Sequence, residues 1–212
     1  MWRNRAGALL LGVSGLLFMA FPILRPFGDQ RGLQAGNLRL VAETLASSAW
    51  LLSHLLAGLA FVLLIFGALA VYARLATTRS EPLAFAGLVA LLGGIALLIP
   101  VIALEAVALR EVAAMAPDGA GAFAVRVGDV RLVGGPMLLA GLLLLAAGGI
   151  LTAMAIWRTN LLPRWAGITF AVGLALFLPV LPQPVRIADG LAIMFGSVFL
   201  ARALWIAQPN IS

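Results

Sequence analysis

Apolar side chains run almost without interruption through six stretches of the chain, at about 6–24, 45–73, 82–109, 132–157, 161–181 and 185–207. Each approaches or exceeds the roughly 18 to 20 apolar residues needed to cross a hydrocarbon core of about 30 Å. The pattern predicts an all-α, polytopic membrane protein. It has one transmembrane domain over residues 1–212, built as a six-transmembrane-helix bundle.

The polar breaks carry turn chemistry. Thr77-Thr78-Arg79-Ser80-Glu81-Pro82 and Arg158-Thr159-Asn160-Leu161-Leu162-Pro163 are short and end in proline, as tight connections between antiparallel neighbours should. The longer connections, 25–44 and 110–131, hold Gly28, Gly32 and Gly36 in one and Pro117, Gly119 and Gly121 in the other. They have room for a short surface helix, or for a strand-like piece at 123–130, and are too short for a domain. Arg3 and Arg5 before the first apolar run resemble the start of a signal peptide. Cleavage after Ala20 would put Phe18 where a small residue is wanted, so the segment reads as a retained anchor.

Two of the apolar hairpins look alike. The stretch 67–100 aligns with 149–179, pairing Arg74 with Arg158, Pro82 with Pro163, Gly87 with Gly167 and Pro100 with Pro179. A repeated helix hairpin (helices 2–3 and 4–5) would relate them by an axis along the membrane normal, a device of transporters. Chance likeness between Leu/Ala/Gly-rich helices is the alternative.

Composition agrees with lipid as the surrounding medium. Of 212 residues 63% are hydrophobic and 10% charged, whereas soluble domains carry about a quarter charged residues. A net charge of +6 would raise nucleic acid as a partner in a soluble protein. Here all fourteen basic residues are arginines spaced at helix ends, so they read as anchors and orientation signals, and no nucleic acid is expected. Without lysine, no Schiff base to retinal or pyridoxal phosphate can form. Without cysteine, disulfides and thiolate metal sites are excluded.

Arginine counts alone do not orient the bundle, because both sets of connections hold seven. The aromatic belt does. Trp2, Tyr72, Trp157, Trp165 and Trp205 each lie close to Arg3, Arg5, Arg74, Arg79, Arg158, Arg164 or Arg202, and serve as interface anchors on one side. That side is expected to be cytoplasmic and to hold both termini, N-in/C-in. Trp50 alone stands near the other side.

Few ionisable groups fall inside the apolar stretches, where each costs roughly 2.5 to 3.5 kcal/mol on insertion scales. His54 and Glu105 lie about 30 Å and about 33 Å above the inner boundary at 1.5 Å per residue, so they share one depth near the outer interface. Glu105 shares a helical stripe with Gly87, Gly94 and Leu98, which should face a neighbouring helix. His54 shares one with Ser47, Gly58 and Phe61. Asp189 and Arg186, with Arg25 and Arg110, can complete an outward-facing polar pocket beneath the two long connections. Pro100 is placed to kink its helix and free a carbonyl at the pocket floor. The competing reading makes His54 and Glu105 interfacial groups that snorkel or pair with arginine, and Arg186–Asp189 a plain ion pair.

Gly12-Val13-Ser14-Gly15 resembles the Gly-x-Ser-Gly nucleophile motif of rhomboid intramembrane proteases. Ser14 stands about 14 Å above the inner side and His54 about 30 Å, too far for a nucleophile–base pair. A glycine-lined packing face is the better reading. No zincin helix, phosphate loop or dinucleotide fingerprint occurs, and one histidine cannot bis-ligate haem. No catalytic residue, metal or cofactor is therefore expected.

Ser53-His54-Leu55-Leu56, Leu69-Ala70-Val71-Tyr72-Ala73-Arg74, Leu162-Pro163-Arg164-Trp165-Ala166-Gly167 and Arg186-Ile187-Ala188-Asp189-Gly190 occur together. As a set they resemble an uncharacterised six-helix membrane protein family of unknown function, common in actinobacteria and related GC-rich bacteria. The resemblance implies a multi-pass protein of the bacterial cytoplasmic (inner) membrane and carries no assigned activity.

These readings lead to one expectation with two competitors. The protein binds or moves a small amphipathic molecule, or protons, at an outward-facing intramembrane site of His54, Glu105, Asp189 and Arg186, with membrane lipids around it. Alternatively it is a structural or accessory subunit of a homo-oligomer or larger membrane complex. Third, the histidine and glutamate do acid–base catalysis.

Overall fold

A computed structural model describes residues 2–31, 33–114, 120–178 and 181–206. Of the residues named above, Gly32, Pro117, Gly119, Pro179 and the side chains of Trp2 and Arg3 lie outside that description. Among the described residues the structure is helical and without strands. The helices are α1 (Trp2–Leu24), α2 (Leu38–Ala46), α3 (Ser48–Leu75), α4 (Glu81–Ala103), α5 (Leu109–Ala114), α6 (Ala120–Thr159), α7 (Arg164–Ala175) and α8 (Gln183–Ile206). A π turn at Leu104–Ala108 joins α4 to α5, and short 3-10 turns at Gly28–Arg31 and Ala35–Asn37 precede α2.

Six of these helices close into a ring. α1 packs on α3 and α8, α3 on α4, α4 on α6, α6 on α7, and α7 on α8. Its centre is aromatic: Phe18, Phe61 and Phe177 meet edge to face with centroids 4.8, 5.6 and 5.7 Å apart. Such edge contacts suit the charge distribution of aromatic rings. Small residues set the helix spacing. A Cβ at Gly94 would stand 2.8 Å from both the Gly141 carbonyl and the Leu145 amide, so α4 and α6 touch backbone to backbone. The Gly87–Gly94–Leu98 stripe thus faces α6, as its spacing predicts, and meets a matching pair in Gly141 and Gly148.

Five segments are long and apolar enough to cross a membrane: Arg5–Leu24, Ser48–Leu75, Glu81–Ala114, Gly121–Thr159 and Gln183–Ile206. The expected helix at 161–181 is shorter. α7 has 12 residues and rises about 18 Å, less than the ~30 Å of a hydrocarbon core. Pro179 bars the helix from continuing as far as 181, because the residue before a proline is pushed out of the helical region. α7 takes the remaining place in the ring, and beyond it Gln30 Nε2 donates to the Leu181 carbonyl at 3.1 Å.

The long connections differ from expectation in kind. The strand-like piece at 123–130 is helix, because α6 starts at 120 rather than 132 and runs 40 residues. Its added turns have an apolar partner. Phe123 and Val127 pack with Val41 and Leu45 of α2, Trp50, and Leu109 and Ala113 of α5, forming a second small core at one end of the ring. The surface helix expected in the first connection is α2.

At the opposite end four of the expected anchors come together. Trp157, Trp165 and Trp205 are about half exposed. Arg164 stacks on Trp157 at 4.9 Å, Arg5 on Trp205 at 5.5 Å, and Tyr72 donates to Glu81 at 3.1 Å. An apolar ring body with a polar tip suits a membrane–water boundary.

Candidate functional site

Between the main ring and the small end core lies a cavity of about 450 Å³. Its wall draws on α1, α3, the end of α4 with the π turn, the middle of α6, Phe177 and the start of α8. The lower wall is apolar, with Phe61, Leu98, Leu138 and Phe177. Polar groups gather above: Arg25, Asp29, Gln30, His54, Glu105 and Arg131, with Arg186 beside Phe177.

Three of the four expected site residues, His54, Glu105 and Arg186, line this cavity. Asp189 stands behind them. Arg186 Nη1 donates to Asp189 Oδ2 at 2.8 Å, and the two side chains are 2% and 1% exposed. The Arg186 guanidinium lies 4.2 Å over the Phe177 ring and 5.6 Å from Phe21, so aromatic faces share its charge. Arg25 joins the wall as expected, and Arg110 does not.

Trp50 organises the site and was not singled out by sequence. It is wholly buried. Its Nε1 donates to the Glu105 backbone carbonyl at 2.7 Å, tying the start of α3 to the π turn. Its ring lies 4.3 Å from the His54 ring and takes the Arg25 guanidinium at 4.8 Å. His54 Nδ1 contacts the Trp50 carbonyl at 2.8 Å. A carbonyl only accepts, so Nδ1 carries the proton, and in the neutral ring Nε2 is the acceptor. Trp50 stands one turn before His54, the one cue in the sequence for their stacking.

The carbonyl that Pro100 was expected to free at the pocket floor is not the one that the site uses. Pro100 is exposed on the outside of α4, and the carbonyl held by a side chain belongs to Glu105, in the π turn. A π turn adds one residue to the helix, and such bulges are frequent at functional sites.

The upper wall is an ion-pair network. Asp29 Oδ2 accepts from Arg25 Nη2 at 2.8 Å and lies 3.6 Å from Arg131 Nη2, so one carboxylate serves two guanidinium groups. Arg25 Nη1 and Asp29 Oδ1 are buried without partners. Among the described residues no side chain hydrogen-bonds to the Glu105 carboxylate, which senses the charges of Arg131 and Arg25 across the cavity. Asp29 and Arg131 are 102 positions apart in a chain whose polar connections all hold arginine, so only the i,i+4 spacing of Arg25 and Asp29 was visible beforehand.

Ser14 lies elsewhere. It is buried, and its Oγ donates to the Ala60 carbonyl at 2.8 Å, the packing role expected of it. Among the described residues no group of three histidine, cysteine or acidic side chains is placed to hold a metal ion. No family model, curated protein or solved structure matches the chain.

Proposed function

We propose that the protein binds, or passes across part of the membrane, a small amphipathic molecule held in the cavity beside His54 and Glu105. The observation that carries this reading is the cavity's two-part wall, apolar below and charged above, at a volume typical of ligand sites, roughly 300–1,000 Å³. Arg186, fixed by Asp189, supports the junction between the parts. Glu105 and the His54 Nε2 offer acceptors to the ligand's polar end.

The same reading includes six membrane crossings, with α7 in the fifth, and both termini in the cytoplasm of a bacterial cell. The aromatic and arginine anchors gathered at the end opposite the cavity support that orientation. It also treats α3–α4 and α6–α7 as a repeated hairpin, each turning between an arginine and a proline, Arg74 with Pro82 and Arg158 with Pro163.

Native mass spectrometry of the gently extracted protein tests the function. A small molecule should copurify, and His54→Ala and Glu105→Gln should each reduce its occupancy while leaving membrane insertion intact. Full occupancy in both variants would remove the proposal.

A further inference from the structure

The apolar floor, the charged rim and the glycine-lined side of this cavity together select among amphipathic molecules. We infer that its ligand is a single-chain amphiphile with an anionic head, a carboxylate or a phosphate ester, seated against Arg131 and Arg25 with its chain on the floor. The inference rests on the ligand-binding reading above and names the ligand's class.

Size comes first. At about 30 Å³ per water-sized group, the cavity of about 450 Å³ holds on the order of fifteen such groups. That suits one hydrocarbon chain of moderate length and a small head. Phe61, Leu98, Leu138 and Phe177 offer the chain an apolar bed. A wholly polar solute would leave those surfaces unmatched, and a wholly apolar one would strand the charges above them.

The sign of the head follows from the pairing of the rim. Asp189 is occupied by Arg186. Asp29 is shared by Arg25 and Arg131, closer to Arg25, so those two cations have one carboxylate in contact between them. Arg25 is nine-tenths buried, its guanidinium held 4.8 Å from both the Trp50 and the Phe27 rings, and it adds positive charge to the rim. Arg131 is 37% exposed and meets Asp29 only at 3.6 Å, so it keeps donors for a further anion. A planar guanidinium matches carboxylate and phosphate oxygens well. Glu105 lines the same cavity, and its carboxylate accepts from a head that keeps a proton, as a phosphate monoester does near neutral pH.

The side wall admits the chain. Gly134 and Gly135 line the cavity on α6, and a Cβ at Gly135 would meet no atom within 4 Å. Gly135→Leu therefore puts a bulky side chain at the cavity wall with no clash at its Cβ, and it serves as the occlusion variant.

The test uses chain-matched probes, dodecanoate, dodecyl phosphate, dodecylamine and dodecanol, added to the full-length protein in phosphatidylcholine nanodiscs and read by native mass spectrometry. One equivalent of dodecanoate or dodecyl phosphate should bind saturably, and the tighter of the two identifies the head. Arg131→Gln should weaken it roughly tenfold, the worth of one charged hydrogen bond. Gly135→Leu should abolish it while leaving the protein monodisperse. Dodecylamine or dodecanol binding as tightly as the anions, or unchanged anion affinity in Arg131→Gln, would overturn the anionic head while the amphiphile site stands. Saturable binding by none of the four probes would overturn both.

Discussion

The indole of Trp50 donates to the backbone carbonyl of Glu105 across 55 positions of sequence, at 2.7 Å. That bond fixes the π turn which places the Glu105 side chain at the cavity. Trp50→Phe keeps a ring for Arg25 and His54 but removes the donor together with part of a wholly buried indole. The unsatisfied buried acceptor alone should lower stability by about 1–3 kcal/mol. Thermal melting of the solubilised protein followed by circular dichroism measures this, and an unshifted midpoint would show that the bond contributes nothing.

Breaking the Arg186–Asp189 pair from one side should be severe. Asp189→Asn leaves a guanidinium buried without its counter-charge, a loss of roughly 3–5 kcal/mol. Replacing both residues together, Arg186→Met with Asp189→Leu, should recover much of it, because burying the pair is itself costly. A double variant no more stable than Asp189→Asn would mean that the pair supplies more than charge balance. Denaturation in mixed micelles compares the three proteins.

Two glycines on facing helices should respond oppositely to the same substitution. Gly94→Ala drives a methyl into backbone atoms of α6 at 2.8 Å, where neither side can yield. It should cost roughly 1–3 kcal/mol. Gly135→Ala meets open space and should be neutral or stabilising by up to about 1 kcal/mol, the gain in helix propensity. The fraction remaining monodisperse on size exclusion after heating separates the outcomes.

Ser14→Ala should leave ligand occupancy unchanged. The hydroxyl bonds the Ala60 carbonyl inside the ring, so its loss should cost stability alone, on the order of 0.5–1.5 kcal/mol. Reduced occupancy with an unchanged melting midpoint would give this serine a role that its surroundings do not suggest.

The parts of this architecture that obey local rules were legible in the sequence. Apolar stretches marked the long helices, the seven-residue spacing of Gly87 and Gly94 marked the face that meets α6, and depth counting put His54 and Glu105 at one level. What escaped depends on partners distant along the chain. The stretch 123–130 alternates like a strand, but Phe123 and Val127 lie one turn apart and pack on α2 and α5, so burial decides for helix. Trp50 read as a lone interfacial aromatic because nothing in its neighbourhood reveals a carbonyl 55 positions away. Asp29 became part of the site only where α6 brings Arg131 to it.

The length of α6 has a mechanical corollary. Forty residues make a rod of about 60 Å, twice the thickness of a bilayer's hydrocarbon interior. Pro136, within it, lacks the N–H that would bond the Leu132 carbonyl, so the rod is softest there. The sixteen residues before that point form an arm of about 24 Å, and tilting it by about 10° swings its tip roughly 4 Å. That arm carries Arg131 and the glycine wall. Both lie within about 8 Å of that soft point, so the same tilt moves them by only about 1 Å and the chamber keeps its bore while the tip swings.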